Sequence, residues 1–272
     1  MKKIKKCPLC CNNNNLRQWT SVSNTFITSS ECITCDIVFA DQILGDDEYH
    51  SFYDLYNDTR DINTKELKEK RDACYLDDKF FIEQNCGKEF QNILDVGCGT
   101  GKFISLFNSN NKTGFDIDKS VITNNKLQYD EINFISDLND LNENEKFDLI
   151  IFRGTFQYMR DLLAIKELIT KKLINGGHLV ILSIPNKNSP LANIQREHWS
   201  LYNPIEMFNI FSISSLKMLF DDFETVDVEY PYLDTPYADE KQDMKKFLDL
   251  VKINKQEKFA FWGSMMQIIF RK

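Results

Sequence analysis

The sequence predicts an α/β fold built on a largely parallel sheet, with a small cysteine-bearing module ahead of it. Three observations predict this. From about residue 89, short apolar segments alternate with helical ones, the pattern of a parallel sheet buried between two layers of helices. The apolar run Asn92-Ile-Leu-Asp-Val96 leads straight into Gly97, Gly99 and Gly101. Ahead of both, residues 1–45 hold two CxxC pairs, Cys7/Cys10 and Cys32/Cys35, with little helical periodicity.

Residues 1–45 read as a metal module. Four thiolates on two short knuckles suit tetrahedral zinc, and a region this small needs a metal to staple it. Cys7, Cys10, Cys32 and Cys35 are the candidate ligands. A four-cysteine site has no open position, so the expected zinc is structural. Knuckles usually carry Gly in a left-handed turn after the second cysteine. Here Cys11 and Asp36 stand there, and Asp tolerates that conformation better than Cys does. Cys74, Cys86 and Cys98 lack CxxC partners and read as packing thiols.

Residues 46–88 read as a helical connector or lid. Tyr49, Phe52, Tyr53 and Tyr56 recur at helical spacing, and Asn63-Thr64-Lys65-Glu66 is a helix start. Residues 89–272 form the main domain. Strands are expected over 93–96, 112–116, 133–135, 147–152, 178–184, 225–230 and 264–270, with helices starting near Gly101, Lys119, Asp161 and Ile213. Asp118 is the expected N-cap of the helix from Lys119.

The bulk properties narrow the function. The chain has 272 residues, 42% of them hydrophobic and 12% aromatic, enough for one large domain with a small appendage. A mean hydropathy of -0.39 without a long apolar run excludes a membrane-spanning helix. The basic start Met1-Lys2-Lys3-Ile4-Lys5-Lys6 runs into Cys7-Pro8 with no apolar stretch of a signal peptide, so a cytoplasmic location is expected. A formal charge of -8 argues against a nucleic-acid partner, because Lys and Arg supply affinity for a phosphate backbone. Oligomeric state is not legible.

The glycine stretch is the most informative motif. A nicotinamide site favours G-x-G-x-x-G, but the third glycine position is Lys102, and the spacing here is G-x-G-x-G. Asp95-Val-Gly-Cys-Gly-Thr-Gly101 resembles motif I of the class I S-adenosylmethionine-dependent methyltransferases. Further motifs follow in the family's order: Gly114-Phe-Asp-Ile-Asp118, Asn133-Phe-Ile-Ser-Asp137, and Phe147-Asp-Leu-Ile-Ile-Phe152 followed by Arg153-Gly-Thr-Phe-Gln-Tyr158. The resemblance implies a Rossmann-like seven-stranded sheet and an S-adenosylmethionine site made by Asp95, Gly97, Cys98, Gly99 and Gly101. It further implies that Asp116 accepts the ribose hydroxyls and that Ile117 flanks the adenine. By the same resemblance Asp137 takes the adenine amino group and Leu138 lies beside the ring.

The wider layout, with its CPxC…CxxC ribbon, Phe52-Tyr53…Tyr56 and His198-Trp-Ser-Leu-Tyr-Asn-Pro, resembles methyltransferases associated with bacterial surface polysaccharides and modified sugars. It implies a small-molecule acceptor, a sugar or nucleotide-sugar, with O-methylation first and N-methylation next. The sugar C-methyltransferases with a related zinc module carry a further C-terminal domain, so C-methylation of that type is not the expected reaction. A hydroxyl acceptor benefits from a general base. His198, in the segment after the fifth strand, is the candidate; His50 and His178 read as packing or structural. Tyr158 stands where many relatives have His, and it either bonds the acceptor or walls the pocket. Arg153 either clamps an acceptor phosphate or carboxylate or pairs with a nearby acid. Trp199, Tyr202 and Phe211 either stack on a sugar or anchor the covering segment. Two other functions compete: an rRNA or tRNA methyltransferase that uses the ribbon for recognition, and a noncatalytic cofactor-binding module that docks a partner.

Overall fold

The computed structural model describes residues 2–20, 28–45, 48, 65–196, 199, 201–231, 238–253 and 261–272. They divide into two compact units that interleave along the chain. One takes residues 1–74, 185–215 and 231–265; the other takes 75–184, 216–230 and 266–272.

The first unit opens with β1 (Lys2–Lys3), β2 (Leu16–Thr20), β3 (Ser29–Cys32), β4 (Ile37–Ala40) and β5 (Gln42–Ile43). β2, β3 and β4 pair antiparallel, and β1 pairs with β5. β4 is buried at all four positions.

Next come α1 (Lys65–Cys86), β6 (Phe90–Val96), α2 (Lys102–Ser105), β7 (Ser109–Phe115), α3 (Lys119–Gln128), β8 (Ile132–Ile135) and β9 (Phe147–Arg153). The chain continues through α4 (Leu162–Lys172), β10 (Leu173–Pro185), α5 (Pro190–Gln195), β11 (Asn209–Ile210), α6 (Ile213–Leu219), β12 (Glu224–Glu229), α7 (Glu240–Ile253) and β13 (Met265–Arg271).

The main sheet has seven strands in the order β12-β13-β10-β9-β6-β7-β8. Its centre is parallel: β6 pairs with β7 on one side and with β9 on the other, and β7–β8 and β9–β10 continue the pattern. β12 and β13 close one edge antiparallel. All seven strands and all four helix starts expected from the sequence are present. The central strands read as apolar runs because both faces are covered: Leu149, Ile150, Ile151 and Phe152 of β9 are all buried. The strand order reverses between β6 and β9, from β6-β7-β8 on one side to β9-β10 on the other, so their carboxyl ends border the crevice where doubly wound sheets bind ligands.

The sequence did not anticipate the origin of the fourth strand in the small sheet. Its order is β11-β4-β3-β2, so residues 209–210 complete the cysteine-bearing sheet. The core beside it is built from Trp19 and Val38 together with Leu191, Ala192, Trp199, Tyr202, Ile210 and Leu250. Trp199 and Tyr202 are therefore anchors here. No described helix is long and apolar enough to cross a membrane.

Candidate functional site

The turn after β6 is held by its own backbone. The Gly97 and Cys98 amides both donate to Phe115 O, at 2.7 and 2.9 Å, and the Gly101 amide donates to Cys98 O at 2.9 Å. Gly97 has φ 81 and Gly101 φ 72. At each, an added Cβ would overlap a neighbour: Thr155 Cγ2 at 2.0 Å from Gly97, and Phe134 Cζ at 2.7 Å from Gly101. Gly99 differs, because a Cβ there would meet nothing within 4 Å among the described residues. Two of the glycines thus serve close packing, and the middle one faces open space. The Cys98 side chain belongs to the hydrophobic core, so its part in the turn is played by its backbone.

Asp116 follows the end of β7. Its Oδ2 accepts from the Gly99 amide at 2.9 Å and its Oδ1 from the Asp118 amide at 3.0 Å. A carboxylate has about four acceptor positions, more than these backbone amides fill. Burial raises its pKa, opposed by these backbone hydrogen bonds. Asp118 caps α3, accepting from Ser120 N at 2.9 Å and Val121 N at 3.2 Å. Asn125 on α3, which no sequence signal marked, donates from Nδ2 to Gly99 O at 2.6 Å. Thr155, in the motif stretch Arg153–Tyr158 but given no role there, donates from Oγ1 to Val96 O at 2.7 Å.

Ile117 is 37% exposed, unusual for an isoleucine. Asp137 is exposed and caps a 3-10 turn over Leu138–Asp140, its Oδ1 accepting from Asn139 N at 2.9 Å. Leu138 is half-buried.

Asp95, near the end of β6, is fully buried, and its Oδ1 has no hydrogen-bond partner among the described residues. Burial pushes its pKa up to about 7; Arg153 lowers it and Asp116 raises it. Arg153, ending β9, forms an ion pair through Nε with Asp78 Oδ2 at 2.6 Å. Its guanidinium also lies over the Tyr75 ring, 4.4 Å from the centroid. Of the two readings the sequence left open for Arg153, the structure contains the pairing with an acid. Asp78 was not singled out in the sequence; its pKa is raised by burial against the pull of Arg153.

Tyr158 ends the 3-10 turn Phe156–Tyr158 after β9, half-buried, its amide donating to Thr155 O at 2.9 Å. His178 lies in β10, with a pKa lowered chiefly by burial. His198, His50, Phe52, Tyr53 and Tyr56 lie outside the described residues.

In the first unit the Cys7, Cys10, Cys32 and Cys35 sulfurs all lie within 4.8 Å of one another. Tetrahedral Zn–S bonds of about 2.3 Å place sulfurs about 3.8 Å apart, and Cys10 Sγ to Cys32 Sγ is 3.9 Å. The Leu9 amide donates to Cys7 Sγ at 3.4 Å, as a knuckle requires. Cys11 and Asp36 both adopt the left-handed conformation, with φ 55 and 54. The donor set and its spacing fit zinc.

Residues 67–229, more than half of the chain, match the family described as "Methyltransferase domain". The malonyl-[acyl-carrier protein] O-methyltransferase of Calditerrivibrio nitroreducens is 30% identical over 117 residues, covering 39% of this chain and 44% of that protein. Malonyl-[acyl-carrier protein] O-methyltransferase 2 of Ilyobacter polytropus is 29% identical over 158 residues, covering 54% and 60%. The chain thus spans about half the length of these curated relatives. Among solved structures, the 1,6-didemethyltoxoflavin-N1-methyltransferase of Burkholderia thailandensis superposes with a TM-score of 0.57 at 16% identity, covering 94% of this chain and 99% of that one. The N-methyltransferase NodS of Bradyrhizobium japonicum, in complex with S-adenosyl-L-homocysteine, gives a TM-score of 0.50 at 16% identity, covering 82% and 97%. At such identities these two likenesses concern the fold. Matched over most of its main sheet, with the glycine turn and its acidic partner assembled at the switch point, the chain belongs to the methyltransferase-domain family.

Proposed function

We propose that this protein is an S-adenosylmethionine-dependent methyltransferase for a small-molecule acceptor, first of all a sugar or nucleotide-sugar hydroxyl, and that its four-cysteine centre holds a structural zinc. The observation that carries the reading is Asp116. Two backbone amides fix its carboxylate beside open space over Gly99, leaving acceptor positions suited to a pair of ribose hydroxyls. Half-exposed Ile117 supplies an apolar face for a base, and Asp137 and Leu138 follow on the next strand end. Asp95 supports a cationic ligand, since a buried carboxylate with an orphaned oxygen gains most from a positive charge.

S-adenosylmethionine supplies an electrophilic methyl on a sulfonium. The protein's part is to align the acceptor with it and to exclude water. Gly97, Gly99 and Gly101 bring the backbone close, with Cys98 contributing its main chain. On the acceptor side we assign Tyr158 as a hydrogen-bonding wall and His198 as the general base. Arg153, held by Asp78, acts as a fixed positive charge near the strand ends. The net charge of -8 favours a small molecule over RNA.

The test is incubation with methyl-labelled S-adenosylmethionine and an extract of the source cells, followed by separation of small molecules from macromolecules. Label in small molecules, stable to mild base as a methyl ether is, supports the sugar reading. Base-labile label indicates a carboxyl acceptor. Label in RNA or protein overturns the small-molecule assignment, and cofactor binding without turnover in any extract overturns catalysis.

A further inference from the structure

Lys187, two residues beyond the β10 end, has a side chain only 5% exposed. Its ammonium meets Glu31 Oε1 at 2.7 Å and pairs also with Asp36, 5.6 Å from the Trp19 ring centroid. Asn188 donates from Nδ2 to Asp36 Oδ2 at 2.7 Å. Arg17 closes on Glu31. Two cations and two carboxylates thus balance, and such a network holds when every member is paired.

Asp36 is the residue after the metal-ligand candidate Cys35, and its φ of 54 is the turn that closes the second knuckle. β4 starts at the next residue and pairs with β11 through Phe39↔Asn209 and Val38↔Ile210. The Ala40 amide donates to Phe208 O at 3.0 Å, and the Ser29 and Tyr202 hydroxyls share a hydrogen bond of 2.6 Å. Ion network, sheet edge and core all join the cysteine centre to the segment 186–212.

We propose that the metal in the four-cysteine centre holds segment 186–212 in place: by closing the knuckle it fixes Asp36, and through Asp36 it fixes Lys187 and Asn188. Asp36 and Lys187 are positioning residues, and the module is a brace for that segment.

Hydrogen exchange followed by mass spectrometry on the full chain tests this without any activity readout. The samples are the zinc-loaded protein, the chelated protein, and the Asp36→Ala and Lys187→Met variants, with zinc measured by elemental analysis. Chelation is expected to speed exchange in peptides from 186–212 at least about tenfold and to leave β6 and β9 peptides unchanged. Either variant at full zinc content is expected to loosen 186–212 too. A variant that loses zinc with all four cysteines intact also supports the coupling, because linkage is reciprocal. Loosening confined to residues 2–43 on chelation overturns the proposal. So does wild-type protection of 186–212 in both variants at full zinc content, which remains decisive if chelation opens the whole chain. Failure of methyl transfer leaves the exchange pattern intact, so the two readings fail separately.

Discussion

Replacing Asp95 by asparagine tests the electrostatics of the site without cofactor. Asp95 is buried with an orphaned oxygen, and burial pushes its pKa up to about 7. An unfolded chain returns it to the usual carboxylate range, about 3.9. Between those values the native state holds a proton that the unfolded state has released. Stability from this group is therefore full at low pH and is lost as pH rises through about 7. Integrating the two titrations, wild type loses about 3 kcal/mol from Asp95 between pH 5 and pH 8. The carboxamide that replaces it in the variant does not titrate. Groups shifted elsewhere, such as Glu31, contribute equally to both proteins and cancel in the difference. Glu31 itself runs the other way: burial raises its pKa, but Arg17 and Lys187 outweigh that and hold it low. Urea unfolding of both proteins at the two pH values, with zinc present throughout, gives the comparison. Relative to wild type, Asp95→Asn should gain about 3 kcal/mol on going from pH 5 to pH 8. A difference that does not change with pH refutes the argument and means that Arg153 neutralises Asp95 despite its bond to Asp78.

Two further substitutions probe the glycine turn and its acid. Gly97→Ala drives a Cβ to 2.0 Å from Thr155 Cγ2 at a φ of 81, so thermal unfolding should show a loss of about 3 kcal/mol or more. Gly99→Ala meets no neighbour within 4 Å and should cost about 1 to 2 kcal/mol from its left-handed φ alone; equal losses in the two variants contradict the packing account. Asp116→Ala removes the acceptor for Gly99 N and Asp118 N as well as for a ribose, and calorimetry should show S-adenosylmethionine affinity lower by about a hundredfold. Unchanged affinity removes Asp116 from the cofactor site.

The main sheet was legible because its strands carry their own signal. Past Asp148, Leu149-Ile-Ile-Phe152 is apolar on both faces, as a doubly covered strand needs. The Asp118 cap was legible for a similarly local reason, since an Asp before a helical run has few other uses. What stayed hidden depends on distant partners. Asn209–Ile210 is too short for any periodicity, and only its pairing with β4 makes it a strand. Asp78 sits among many charged residues of α1, and nothing in its neighbourhood announces a bond to a residue 75 positions away. Asn125 is one asparagine in a sequence full of them, and its role comes from where α3 crosses the Gly99 carbonyl.

Asp36 shows how a local irregularity in the sequence becomes meaningful once its long-range partner is known. At the knuckle position where glycine is usual, an aspartate reads as a tolerated departure that costs about 1 kcal/mol of left-handed strain. Glycine would relieve that strain and leave Lys187, 5% exposed, with Glu31 as its remaining carboxylate among the described residues while Arg17 competes for the same acid. Removing one partner from a buried ion network costs about 3 to 5 kcal/mol, more than the backbone relief returns. The side chain therefore outweighs the conformation at this position. The first knuckle supplies the contrast: Cys11 is exposed at φ 55, and nothing in the structure explains a cysteine there. Two knuckles with the same backbone geometry thus carry different constraints, and the one whose residue reaches Lys187 and Asn188 is the one through which the cysteine centre acts on the rest of its unit.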